Sequence, residues 1–145
     1  MRTVVLIALS LIILTGCLDP PENKANPSSD QKAELDSTKF TTIQWIDSTR
    51  DYGKITEGQK LAVSFRYKNS GDKPLVIYLV KPGCGCTLAE TPEKPLAPGE
   101  TGEIKATFNS EGRTGHNSKD IFIEANTKGT QNHVVHFDVE VVKAN

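Results

Sequence analysis

The chain has no run of about twenty apolar residues, no excess of basic charge, and no helical periodicity anywhere beyond Phe40. Each lack excludes something. An apolar stretch too short to cross the hydrocarbon argues against a transmembrane helix. A formal net charge of −1, without a cluster of Lys and Arg, argues against nucleic acid as a partner, because phosphate binding is driven by grouped cations that release counterions. Without a βαβ pattern there is no helix start on which a thioredoxin-like cysteine pair would sit. Nothing singles out a nucleophile, a base and an orienting acid, so neither an enzyme nor a cofactor is expected. At 145 residues the chain has room for one domain.

The first segment reads as an address. Met1-Arg2 is followed by an apolar run from Thr3 to Leu14, broken by Ser10, with the length and flanks of a secretory h-region. Leu14-Thr15-Gly16-Cys17 resembles the lipobox of bacterial lipoproteins. That resemblance implies cleavage after residue 16, acylation of Cys17 on its sulfur and new amine, and a membrane partner engaged through lipid. At roughly 0.8 kcal/mol per buried CH₂, two or three acyl chains anchor stably. Leu18 follows Cys17 where an aspartate would favour the inner membrane, so an outer-membrane location in the cell envelope is expected, with the domain outside the cytoplasm.

Asp19 to Asp30 is rich in Pro, Asn and Ser and lacks apolar periodicity, as a linker does. Some twenty flexible residues reach roughly 25 Å. The expected organisation is therefore a signal peptide over 1–16, a lipidated cysteine and linker over 17–39, and a folded domain over 40–145.

In that domain apolar residues alternate with polar ones between Gly, Pro and Asn turns, the pattern of an all-β sandwich. Leu61, Val63, Phe65 and Tyr67 form one buried face, and Ile104, Ala106 and Phe108 another; Ile121, Ile123 and Ala125, then Val135, Phe137, Val139 and Val141, complete the set. Thr41 to Ile46, with Trp45, opens the series. Leu75 to Val80 is apolar at every position, as expected of a central strand covered on both faces or one edge of an interface. About seven strands at this spacing match an immunoglobulin-like β-sandwich, without the Cys and Trp core pattern of antibody domains.

Several motifs resemble a family of bacterial envelope proteins, domain-of-unknown-function family fifteen-seventy-three, whose fold is similar to Hydin-type and PapD-like sandwiches. They are Tyr52-Gly-Lys-Ile-Thr-Glu-Gly58, Phe65-Arg-Tyr-Lys-Asn-Ser-Gly71 running into Pro74-Leu75, Cys84-Gly-Cys-Thr87, Pro95-Leu-Ala-Pro-Gly99, and Asn126. The resemblance implies a fold and no activity.

With Cys17 taken by lipid, Cys84 and Cys86 remain as a pair in a compartment where disulfides persist. Three states compete. Along an extended strand their Cβ atoms would lie over ~6 Å apart, beyond the roughly 3.5 to 4.5 Å of a disulfide, so a bond needs the bend that Gly83 and Gly85 permit. Soft thiolates at this spacing would also take Cu(I) or Zn, given further ligands. Of the histidines, His133 and His136 are expected on opposite faces of a strand, and His116, placed in a turn, is the one within reach. The third state is a pair of reduced, structural cysteines. The expected function is a lipid-anchored module that binds or scaffolds an envelope protein partner through a sandwich edge strand. The alternative is a thiol redox or copper-handling protein working through Cys84-Gly85-Cys86.

Overall fold

The computed structural model describes residues 39–144. The signal peptide, Cys17, most of the linker and the short helix suggested by Gln31 to Leu35 lie outside the described residues. Eight strands follow in order, two of them only three residues long: β1 Ile43–Trp45, β2 Thr49–Thr56, β3 Lys60–Asn69, β4 Ile77–Pro82, β5 Thr87–Ala89, β6 Thr101–Asn109, β7 Gly115–Ala125 and β8 Asn132–Val142. They form two four-stranded sheets, ordered β1-β3-β6-β5 and β2-β8-β7-β4. This is the expected immunoglobulin-like sandwich. All pairings are antiparallel except β2 on β8, which is parallel, because the chain changes sheets between β1 and β2.

The alternation seen in the sequence is the alternation of burial. Val63, Phe65, Tyr67, Ile104, Phe108, Ile121, Ile123, Val135, Phe137 and Val139 point between the sheets and are buried. Phe108 meets Phe137 edge-on across the two sheets at 5.8 Å, an arrangement aromatic rings prefer over face-to-face stacking.

One pole of the sandwich is closed by a polar network. Asn69, fully buried, donates from Nδ2 to the carbonyls of Lys73 and Leu96, and its Oδ1 accepts from the Thr41 hydroxyl and the Gly71 N–H. Asn126 donates to the carbonyls of Lys39 and Pro74 and accepts from the Val76 N–H at 2.7 Å. The two amides tie the segments around residues 39–41, 71–76, 96 and 126 into one knot. Buried backbone groups that have left a ladder must find partners elsewhere, and here two side chains supply them.

The apolar run from Leu75 is not a central strand. β4 starts at Ile77, pairs only with β7, and lies at the edge of its sheet. A register shift between Ile77 and Leu79 breaks the alternation, so Tyr78 and Leu79 both stand exposed, at 45% and 41%. An apolar residue at every position here reflects a bulge and an uncovered outer face, not burial on two sides.

Candidate functional site

β4 ends where the chain turns from the second sheet to the first, and the turn is Cys84-Gly85-Cys86. The Gly83 N–H makes the last contact with β7, donating to the Asp120 carbonyl at 2.9 Å, and the Asn109 N–H then captures the Cys86 carbonyl at 2.8 Å as the chain joins β6. Cys84 and Cys86 are joined as a disulfide with Cα atoms 5.3 Å apart. Neither Gly83 nor Gly85 has a positive φ, so the bend does not draw on a left-handed glycine. Cys86 is buried at 6% exposure and packs with the core, while Cys84 is half-buried. The buried Thr87 hydroxyl lies beside the disulfide, 3.7 Å from Cys84 Sγ and 3.9 Å from Cys86 Sγ. A bond that closes so small a ring constrains the unfolded chain by only about 1.5 kcal/mol in the chain-entropy account. It is therefore a weak staple.

The structure does not bring His116 to these cysteines. His116 lies in strand β7 opposite Glu140, not in a turn, and is four residues from Asp120, about 13 Å along the strand at roughly 3.3 Å per residue. Its Nε2 is instead 3.4 Å from Asp138 Oδ1. Among the described residues no group of three or more His, Cys, Asp or Glu side chains is placed to hold a metal ion. His133 and His136 do point to opposite faces: His133 reaches inward to the Thr127 hydroxyl at 2.7 Å, and His136 lies on the outer face.

Around His136 is a cluster that sequence reasoning missed. Its Nδ1 is 2.7 Å from Asp120 Oδ1, and its Nε2 is 3.0 Å from the Ser118 hydroxyl and 3.3 Å from Asp138 Oδ2. The signal was present as alternation: residues 116, 118 and 120 of β7 and 136 and 138 of β8 share the outer face, and Asp120↔His136 and Ser118↔Asp138 are cross-strand pairs. The hydrogen bond that His136 Nδ1–H donates to Asp120 raises the His136 pKa, with Asp138 adding to it, and the Ser118 hydroxyl holds Asp138 below the usual carboxylate range. Two carboxylates beside the imidazole favour its protonated form.

A folded-state pKa raised above the unfolded value contributes stability that is complete below about pH 6.5 and is lost as pH rises through the folded pKa. His136→Gln should therefore cost more stability at pH 6 than at pH 8. NMR titration of His136 is expected to give a pKa above that of a free imidazole; a value at or below 6.5 would refute the assignment.

These outward residues flank a strand that outruns its neighbour. β4 pairs with β7 only from Ala125 back to Ile121, and Gly83 adds Asp120, so the first five residues of β7, Gly115–Lys119, pair with β8 alone. In an antiparallel ladder successive residues turn their N–H and C=O alternately to each side. The residues that face β4 are 120, 122 and 124, so His116 and Ser118 present their backbone groups to the side where β4 has ended. The other edges are guarded. β1 and β5 have three residues each; β2 is shifted in register between Asp51 and Lys54, with Gly53 at φ 67 and three charged side chains, Arg50, Asp51 and Lys54. On β4, Pro82 lacks an N–H and the Val80 N–H donates to the Thr91 hydroxyl at 3.1 Å. Short, bulged, charged or capped edges resist strand addition.

Sandwich, crossover and sheet order define an immunoglobulin-like β-sandwich domain. The chain belongs to the family described as Protein of unknown function (DUF1573), which matches residues 43–141. Among solved structures it is similar to a protein of unknown function from Porphyromonas gingivalis, with TM-score 0.63 and 16% identity over 76% of this chain and 51% of that one. It also resembles PapD-like domain 7 of human CEP192, at TM-score 0.54 and 11% identity over 96% of this chain and 100% of that domain. A third likeness is to the YadV chaperone, at TM-score 0.52 and 15% identity over 70% of this chain and 52% of that one. The chain spans about half the length of the P. gingivalis protein. No curated protein matches it.

Proposed function

We propose that this protein is a lipid-anchored, non-enzymatic module of the cell envelope that binds or scaffolds another envelope protein. The observation that carries the reading is the free side of Gly115–Lys119, the segment of β7 left without a partner beyond Gly83 while the other edges are guarded. The occupant is an extended segment of the partner, added as a strand in line with β4. Main-chain hydrogen bonds at His116 and Ser118 supply affinity, and Asp120, Asp138 and His136 on the outer face supply selectivity. The likeness to a chaperone and to PapD-like domains supports the fold of such a module. Leu14-Thr15-Gly16-Cys17 supports the anchor, and Leu18 an outer-membrane address.

Ser118→Pro tests the edge. Its N–H faces away from the β8 ladder, so proline removes a free donor without breaking a pair. Crosslinking in intact envelopes is expected to recover a partner with the wild type and to lose it with Ser118→Pro, whose melting temperature stays within a few degrees. Should Ser118→Pro misfold, His116→Pro removes the other free donor. Undiminished partner recovery by a folded proline variant would reject the edge. Cys17→Ser is expected to shift the protein from the membrane to the soluble envelope fraction; retention in the membrane would reject the anchor.

A further inference from the structure

Going beyond the binding reading, we propose that Cys84-Gly85-Cys86 is a thiol–disulfide exchange site that accepts two electrons from a protein dithiol. The pair sits in an unequal setting. Cys84 is half-buried, at the turn where β4 leaves its sheet, and Cys86 is buried in the core at 6% exposure. An incoming thiolate therefore meets Cys84 Sγ, and Cys86 is the leaving sulfur. The departing thiolate forms beside the buried Thr87 hydroxyl, 3.9 Å from Cys86 Sγ, which can turn to donate to it. The same hydroxyl lies 3.7 Å from Cys84 Sγ and can serve the second thiolate in turn. A hydroxyl donor lowers the pKa of a thiol, and a lower-pKa thiol leaves faster.

The electrons balance in two steps. In the first, a thiolate of the reductant bonds to Cys84 Sγ, the Cys84–Cys86 bond breaks, and Cys86 leaves as a thiolate. In the second, the other thiol of the reductant loses its proton and attacks its own sulfur in the mixed disulfide, releasing Cys84 as a thiolate. The reductant ends as a disulfide, and the pair ends as two cysteines carrying two electrons. The ring encloses a single residue between its cysteines, so opening it frees little chain and the sandwich survives the change. Exchange depends on which sulfur an incoming thiolate can reach, and here that is Cys84 rather than the buried Cys86.

The test uses the mature protein and a limiting amount of reduced glutathione, a monothiol that has no second thiol of its own to resolve the mixed disulfide, so the second step needs another molecule. Mass mapping after an acid quench is expected to find glutathione on Cys84 with Cys86 free, in folded protein. Dithiothreitol is expected to complete the reduction while the melting temperature remains well defined. Thr87→Val should slow the glutathione step about tenfold, and Thr87→Ser should restore it to within twofold. Adducts on Cys86, or adducts that appear only after denaturation, would overturn the site. A Thr87→Val rate equal to wild type would overturn the role of Thr87. The glutathione mapping needs no variant, so it decides the site even if Thr87→Val misfolds.

Discussion

Asn126→Ala is expected to remove about 4 kcal/mol of stability, from the cost of leaving buried polar groups unpaired. The residue is 3% exposed and its amide makes three bonds to backbone: from Nδ2 to the carbonyls of Lys39 at 2.8 Å and Pro74 at 2.9 Å, and to Oδ1 from the Val76 N–H at 2.7 Å. Alanine leaves all three groups without that partner, at roughly 1 to 3 kcal/mol each where water is excluded. Water can reach Lys39, which is exposed, so the full sum is not expected. A domain of this kind has only about 5 to 15 kcal/mol in hand. Asn126→Asp should be as damaging, since it removes both donors and sets a carboxylate against two carbonyl oxygens. Urea unfolding checks this: the midpoint should fall sharply with an unchanged slope. A loss under about 1 kcal/mol would show that the pole is held by its packing rather than by this amide.

The same residue shows how far the sequence could be read. The strands were legible because Leu61 to Tyr67 and Val135 to Val141 alternate, and period-2 alternation has one physical cause, a sheet with one buried face. Asn126, Asn69, Gly71 and Pro95 to Gly99 were legible as motifs, but their common purpose was not. They are separated by up to 57 residues in sequence and meet only when the pole closes, as the Asn69 bonds to Leu96 and Thr41 and the Asn126 bonds to Pro74 and Lys39 record. Hydrogen-bond partners at such separation leave no periodic trace.

Two readings failed for a related reason. Uninterrupted apolarity from Leu75 to Val80 points to a central strand covered on both faces or to one edge of an interface, and the first does not hold, because a register shift turns Tyr78 and Leu79 outward on an edge. His116 is expected in a turn because it follows Gly115, whose φ of 97 does mark a conformational break, but the strand begins at that glycine. The His136 cluster went unseen because His136, Asp120 and Ser118 belong to different strands, and register decides which side chains meet. The cysteine pair, by contrast, is legible as one that a bend at Gly83 and Gly85 could join, as it is joined here, while the burial that makes Cys84 and Cys86 unequal is not.

Gly71→Ala is the second change expected to act strongly, at about 3 kcal/mol or more, the cost of forcing a methyl into a closed space. Backbone conformation is not the reason, as Gly71 has no positive φ. The reason is distance. A Cβ at residue 71 would stand against the Thr41 hydroxyl and lie 2.6 Å from the Thr42 backbone nitrogen and 3.2 Å from the Thr41 carbonyl carbon. A side chain alone could rotate away, but backbone cannot, so the segments carrying residues 41–42 and 70–71 must separate. That movement strains the bond from the Ser70 N–H to the Thr42 carbonyl at 2.9 Å and the bond from the Thr41 hydroxyl to Asn69 Oδ1 at 2.9 Å. Thr41→Ala in the same chain distinguishes the two obstacles. It deletes the hydroxyl and leaves the backbone contact, so the double variant should recover little of the stability that Gly71→Ala removes. Recovery to the level of Thr41→Ala alone, measured by urea unfolding, would mean that the hydroxyl was the whole obstacle and that the backbone around Thr42 gives way more readily than a closed pole should.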